Sequence, residues 1–245
     1  MATQRQVNAP AAANNADDVA SSISKYLSSK NVQPTQAWMQ AFTPTIRLST
    51  PVVALQKTAL FRLLATDLRT SIQSTTVFPA NVAESSVREL HLRGPITVQL
   101  LDMEDIGRSR WSQVEAIEAQ ERGETTKGRE VIRVVPEENN GPPGATQPPS
   151  NANSEKSFGP QKLTLQDAKG TKAYAMELEA VHGISTSMSI GAKLVLRDVL
   201  VARGLLLLEP KNVEILGGKV DAWDKKWRED RKRMLKEKAG MRDTA

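Results

Sequence analysis

The sequence predicts a mostly β protein of the α+β class: a segment of three short helices, a closed barrel of five short strands, and a charged C-terminal helix. Three observations predict it. Apolar residues recur at helical spacing over residues 17–75, the apolar period falls to two within residues 76–218, and residues 219–245 form a charged amphipathic stretch.

Residues 1–16 are Ala, Asn, Gln and Pro with little to bury, and are expected to be disordered. From Asp17 the run D-D-V-A-S-S-I-S-K-Y-L spaces Val19, Ile23, Tyr26 and Leu27 along one helical face, behind two aspartates suited to a helix N-terminus. Pro34 opens a second helix, which Pro44 closes. The third takes Thr50 as its cap and Pro51 as its first residue, and carries Val52, Leu55, Ala59, Leu60, Leu63, Leu64 and Leu68 on one face. Helices this short need tertiary burial of that face to persist.

The first strand is I-T-V-Q-L-L-D-M from Ile96, and the second and third are K-L-T-L-Q from Lys162 and K-A-Y-A-M-E-L-E from Lys172, joined by a D-A-K-G-T turn. The fourth, from Ala192, and the fifth, from Leu205, flank an A-R-G turn. One strand, a hairpin, an interval and another hairpin fit an OB-type barrel, since closure removes the exposed edges. The interval V-H-G-I-S-T-S-M-S-I-G stands where such barrels often carry a helix.

Residues 107–161 then form an insertion between the first two strands, too long for a hairpin loop. Its first part spaces Trp111, Val114 and Ile117 as a helix, V-I-R-V-V from Val131 reads as an extended anchor, and residues 136–157 are low-complexity spacer. Seven basic residues of this region, from Arg108 to Lys156, face eight glutamates, so it is close to neutral. A DNA-neutralising arm would be strongly basic; a protein contact is the better expectation.

Composition excludes whole classes of chemistry. With no cysteine there are no disulfides, thiolate metal sites or iron–sulfur ligands, and only His91 and His182 supply imidazole. Neither lies in a catalytic motif; His91 reads as a strand or loop residue and His182 as part of a turn. The G-I-S-T-S-M-S-I-G-A-K stretch lacks the spacing of a phosphate loop, and Asp102–Asp105 reads as a solvated acidic strand end. No enzyme and no cofactor is expected. No apolar run reaches the roughly 20 residues that cross a bilayer, and the first residues lack the apolar core of a signal peptide, so an intracellular soluble protein is expected.

Nucleic acid is weighed on two surfaces. If Tyr174, Met176 and Leu178 point inward, the third strand exposes Ala173, Ala175, Glu177 and Glu179, a face without stacking aromatics and with two negative charges. The tail from Lys219 holds ten basic against six acidic residues, which makes Lys225, Lys226, Arg231, Lys232 and Arg233 the candidate nucleic-acid contacts. The competing reading places Val220, Trp223, Trp227 and Met234 on one side of a helix packed on the barrel. K-K-W-R-E-D-R-K-R also has the composition of a nuclear import signal.

The stretch from Gly191 to Trp223, G-A-K-L-V-L-R-D-V-L-V-A-R-G-L-L-L-L-E-P-K-N-V-E-I-L-G-G-K-V-D-A-W, closely resembles the RecQ-mediated genome instability (Rmi) family. K-L-T-L-Q-D-A-K-G-T-K-A-Y-A-M-E-L-E, V-Q-P-T-Q-A-W-M-Q-A-F, L-L-A-T-D-L-R and F-P-A-N-V are similar to its other segments, so the resemblance runs from Val32 to Trp223. It implies a non-catalytic nuclear subunit of a complex between a RecQ-type helicase and topoisomerase III, a type IA enzyme, which dissolves double Holliday junctions. The barrel would dock on the topoisomerase and the insertion would reach its DNA gate. Lys193 of G-A-K is then the candidate barrel contact, with Trp111, Val131, Ile132, Arg133, Val134 and Val135 as candidate contacts in the insertion.

Overall fold

A computed structural model describes residues 11–47, 49–122 and 159–240. The first helix, α1 (Ala11–Ser29), begins six residues ahead of the expected start at Asp17, because the alanine-rich run before it has strong helix propensity. The expectation of disorder through residue 16 therefore fails from Ala11 onward; residues 1–10 lie outside the described residues.

In α2 (Gln36–Phe42) the Thr35 side chain accepts a hydrogen bond from the Trp38 amide, and the chain then tightens into a short turn at Thr43–Thr45 around Pro44. α3 (Val52–Leu64) ends before the expected Leu68, and Thr50 does not cap it. Leu68 belongs instead to a fourth short helix, α4 (Leu68–Ser71), started by the Asp67 carboxylate, which accepts from the Arg69 amide. Ile23, Leu27, Ala59, Leu63 and Leu68 form the core of this helical segment.

The sheet has eight short strands rather than five: β1 (Glu89–Leu92), β2 (Ile96–Asp105), β3 (Gln161–Asp167), β4 (Lys172–Glu177), β5 (Lys193–Leu196), β6 (Val199–Ala202), β7 (Leu205–Leu208) and β8 (Val213–Gly217). β1, which holds His91, is not among the five expected strands, although His91 reads as a strand or loop residue, and the predicted fourth and fifth strands are each broken in two. Asp198, with φ of 51°, separates β5 from β6, and Pro210 lies between β7 and β8. Both breaks bend one continuous hairpin around the barrel.

The strand order β1-β6-β7-β4-β3-β2-β5-β8 states the closure. The two ends of the sheet hold the two halves of the same hairpin, β6–β7 at one end and β5–β8 at the other, linked where the Arg197 amide donates to the Asn212 carbonyl at 2.9 Å. β4 and β7 run parallel; the other pairings are antiparallel. The A-R-G turn has Arg203 at φ 48° and Gly204 at φ 81°, the two successive positive angles of a tight hairpin turn. A side chain at Gly204 would also strike the Ala83 carbonyl.

Val98, Leu100, Leu163, Leu165, Ala173, Ala175, Leu194, Leu206 and Leu208 fill the barrel. The interval 181–191 forms turns and no helix; Val181, Ile184 and Ile190 plug that end of the core. Outside the barrel, α5 (Arg110–Glu121) opens the insertion and packs beside α6 (Asp221–Lys238).

Candidate functional site

The face of β2 that turns away from the barrel core is polar, yet it is buried, because the helical segment docks on it. The Thr97 hydroxyl donates to the Asn31 carbonyl at 2.5 Å, and Gln99 Oε1 accepts from the Leu68 amide at 2.9 Å. Gln99 Nε2 donates to Asp67 at 2.8 Å and to Gln166 at 3.1 Å. Burial alone would raise the Asp67 carboxyl; hydrogen bonds from Arg69 and Gln99, with the charge of Arg69, outweigh it and hold the group below its ordinary value.

Lys193 completes this joint and is not a surface contact. Its side chain is fully buried, and Nζ donates to the carbonyls of Leu64 (2.8 Å), Thr66 (2.6 Å) and Gly191 (2.7 Å). Three donors meet three acceptors. Leu64 and Thr66 lie at the C-terminal end of α3, where the helix dipole favours a cation. The expectation that Lys193 touches a partner is therefore corrected: it ties the helices to the barrel, and the solvent cannot reach it.

The register of β4 is the reverse of the expected one. Ala173, Ala175 and Glu177 point into the barrel, while Tyr174 and Leu178 are 53% and 56% exposed. Small alanines suit the crowded interior, and the Glu177 carboxylate is satisfied there by the amides of Gln161 (2.8 Å) and Val181 (3.0 Å). The argument that this face presents two negative charges and no aromatic falls with it.

What faces outward is apolar. Tyr174 pairs with Leu205, Met176 with Leu207, and Leu207 with Leu200, so three neighbouring strands present these side chains in rows. Leu200, Leu205 and Leu207 are partly exposed and belong to neither core. The ammonium of Lys162 lies over the Tyr174 ring, 4.9 Å from its centre. His91 sits at the edge of this face, exposed and 3.1 Å from Glu89.

The tail takes the packing role. Trp223 and Trp227 rest on the barrel core, and Trp227 Nε1 donates to Asp102 at 2.7 Å. Four of the five candidate nucleic-acid cations are engaged within the protein: Arg231 stacks on Trp227, Lys232 bridges Glu118 and Glu121, Arg233 pairs with Asp230, and Lys225 stands 3.9 Å from Glu229. Lys226 is exposed. Contacts from Lys236 and Lys232 lower the Glu118 carboxyl, so α5 and α6 hold each other by charge.

The acidic strand end is likewise paired rather than solvated, with Glu104 2.7 Å from Arg110 and 3.4 Å from Lys238. Among the described residues no group of His, Cys, Asp and Glu is placed to hold a metal ion, and no helix is long and apolar enough to cross a membrane. In the insertion, Trp111 is 57% exposed near the start of α5, one turn before the buried Val114. Val131, Ile132, Arg133, Val134 and Val135 lie outside the described residues.

Two family models match this architecture: residues 78–231 match that of the RMI1 N-terminal OB-fold domain, and residues 27–71 that of the RMI1 N-terminal helical domain. The chain belongs to the RMI1 family. Among its relatives is RecQ-mediated genome instability protein 1 of Schizosaccharomyces pombe, 29% identical over 211 residues that cover 83% of this chain and 89% of the relative. The protein of the same name from Xenopus laevis is 29% identical over 202 residues, 80% of this chain but 32% of the frog protein. The RMI1 helical and OB-fold domains thus meet at the polar joint around Lys193, and the apolar outer face of β4, β7 and β6 belongs to the RMI1 barrel.

Proposed function

We propose that this RMI1-family chain is a non-catalytic nuclear subunit of a genome-stability complex of a RecQ helicase and topoisomerase III. In this reading the OB barrel binds the topoisomerase, and the insertion over residues 107–161 stimulates decatenation and the dissolution of double Holliday junctions. The observation that carries it is the outward sheet face of Tyr174, Met176, Leu178, Leu200, Leu205 and Leu207. A run of large apolar side chains left partly in water, outside the filled cores of both domains, marks a protein interface. The near-neutral charge of the insertion and the internal pairing of the tail cations support a protein contact over a DNA track. DNA is then reached mainly through the partner.

The test is co-purification with the cognate type IA topoisomerase, followed by decatenation assays. Leu178→Glu combined with Leu207→Glu should abolish co-purification, while deletion of residues 131–135 should reduce stimulation more than complex formation. A double variant that still co-purifies in full rejects the barrel face as the interface.

A second reading, an independent single-stranded nucleic-acid binder, draws on the Tyr174–Lys162 pair, which supplies one aromatic and one cation on the sheet face. A salt titration separates the two. Binding through several cations weakens steeply with salt, and binding through the apolar face does not.

A further inference from the structure

A cleft of about 500 Å³ runs between α6 and the outer surface of the barrel, reaching β4 at Lys172, where the outward row of Tyr174 and Met176 begins. Its floor is apolar: Leu101 of β2 and Trp223, Trp227 and Met234 of α6, none of them fully buried. Its volume lies within the range of sites that take a compact ligand. The stripe that binds α6 to the barrel is therefore only half used.

The charges around that floor are unequal in their commitments. Asp102 accepts from Trp227 Nε1 at 2.7 Å and lies 3.8 Å from Lys238, and Asp230 is 2.8 Å from Arg233. Arg69 is held by Asp67 at 2.8 Å. Lys172, at the start of β4, and Lys226, on α6, are exposed, and among the described residues neither forms an ion pair. The two free cations stand on different walls of the cleft, one on the sheet and one on the helix.

We propose that this cleft between α6 and the barrel binds an acidic peptide segment of a partner protein, its apolar side chains on Trp223, Trp227, Met234 and Leu101 and its carboxylates against Lys172 and Lys226. Apolar anchors supply the binding free energy, and the paired charges fix the direction of the segment. Single-stranded nucleic acid fits less well. Stacking needs a free aromatic face, but Trp227 carries the Arg231 guanidinium 4.6 Å from its ring centre. The inference does not depend on the topoisomerase reading: Lys172 shares the outward row of β4 with Tyr174 and Met176, but none of the apolar residues of that face lines the cleft.

The test is selection of a random 12-residue phage-displayed peptide library on the full chain, with the enriched peptides then synthesised and titrated by tryptophan fluorescence. The expected peptides combine at least two large apolar residues with a net negative charge. Their affinity should fall at least tenfold in the Lys172→Glu, Lys226→Glu double variant, whose substitutions lie on exposed positions that hold nothing in the fold. A peptide with its acidic residues changed to lysine should bind that variant and not the parent. Enrichment of peptides without acidic residues, affinity unchanged in the double variant, no enrichment at all, or displacement of the peptides by a 20-nucleotide oligothymidine would each overturn the proposal.

Discussion

The ammonium of Lys193, on the strand that enters the last hairpin, lies 2.8 Å from the carbonyl oxygen of Leu64, 129 residues away at the end of α3. With Thr66 and Gly191 accepting from the same nitrogen, one side chain satisfies carbonyls from both domains. Lys193→Met should therefore separate what the lysine joins. Hydrogen bonds to a charged group contribute about 1.5–3 kcal/mol each, offset in part by the cost of burying the ammonium. The expected net loss is about 2–4 kcal/mol, read as a lower urea midpoint, with faster proteolysis of the helical segment than of the barrel. A variant as stable as the parent would mean that Thr97 and Gln99 hold the joint unaided.

The same amine predicts an alkaline rise in stability. Burial lowers its pKa from 10.5 to about 8, against the opposing charge of Asp67. Below pH 8 the group is protonated in both folded and unfolded chains, and pH has no effect through it. Between 8 and 10.5 the unfolded chain binds the proton more, so stability increases with pH, by about 3 kcal/mol at most. Measured against Lys193→Met, the parent should gain on this interval; parallel stability curves would show that the amine keeps an ordinary pKa.

How much of this was legible depended on what each residue had to be compared with. The helices around Ile23 and Leu63 and the strand at Leu163 follow from periodicity, because each buries an apolar side in its own domain, whereas the strand at Leu194 is buried on both faces. Lys193 could not be read that way, since its acceptors are backbone atoms of a distant helix end. The one available signal was its position within the apolar run of a central strand. β4 failed for a different reason: Tyr174, Met176 and Leu178 are the larger residues, and size suggested the inside, but a narrow barrel takes alanine where strands crowd. The breaks at Asp198 and Pro210 do leave a trace, a turn residue and a proline within otherwise apolar runs.

That reversed register gives a paired prediction. Leu178→Asp changes an exposed side chain and should alter stability by no more than about 0.5 kcal/mol. Ala175→Asp places a charge at a position with no exposure and should unfold the domain or cost more than about 4 kcal/mol. Thermal melts of the two variants decide the strand's orientation, and the opposite order would restore the inward-pointing tyrosine.

Asp224 predicts how α6 is attached. Its carboxylate, in the first turn of the helix, accepts from the Ile190 amide at 2.9 Å and from Arg228 at 3.0 Å, so one group anchors the helix to the plug of the barrel. Burial pushes this carboxyl up, but the bonds from Arg228 and Ile190 outweigh it and leave it below its ordinary 3.8. Its contribution is thus complete above about pH 4 and is lost as pH falls through the lower folded value. Asp224→Ala strands a buried amide and should cost about 1–3 kcal/mol near neutral pH. The variant's deficit should shrink as the parent is acidified below pH 4, where the parent loses the same anchor. Hydrogen exchange along 221–238 reads the local effect: α6 amides should exchange faster in the variant while those of β2 and β3 keep their protection. Unchanged exchange in α6 would mean that Trp223 and Trp227, packed on the barrel core, suffice to hold the helix without its anchor.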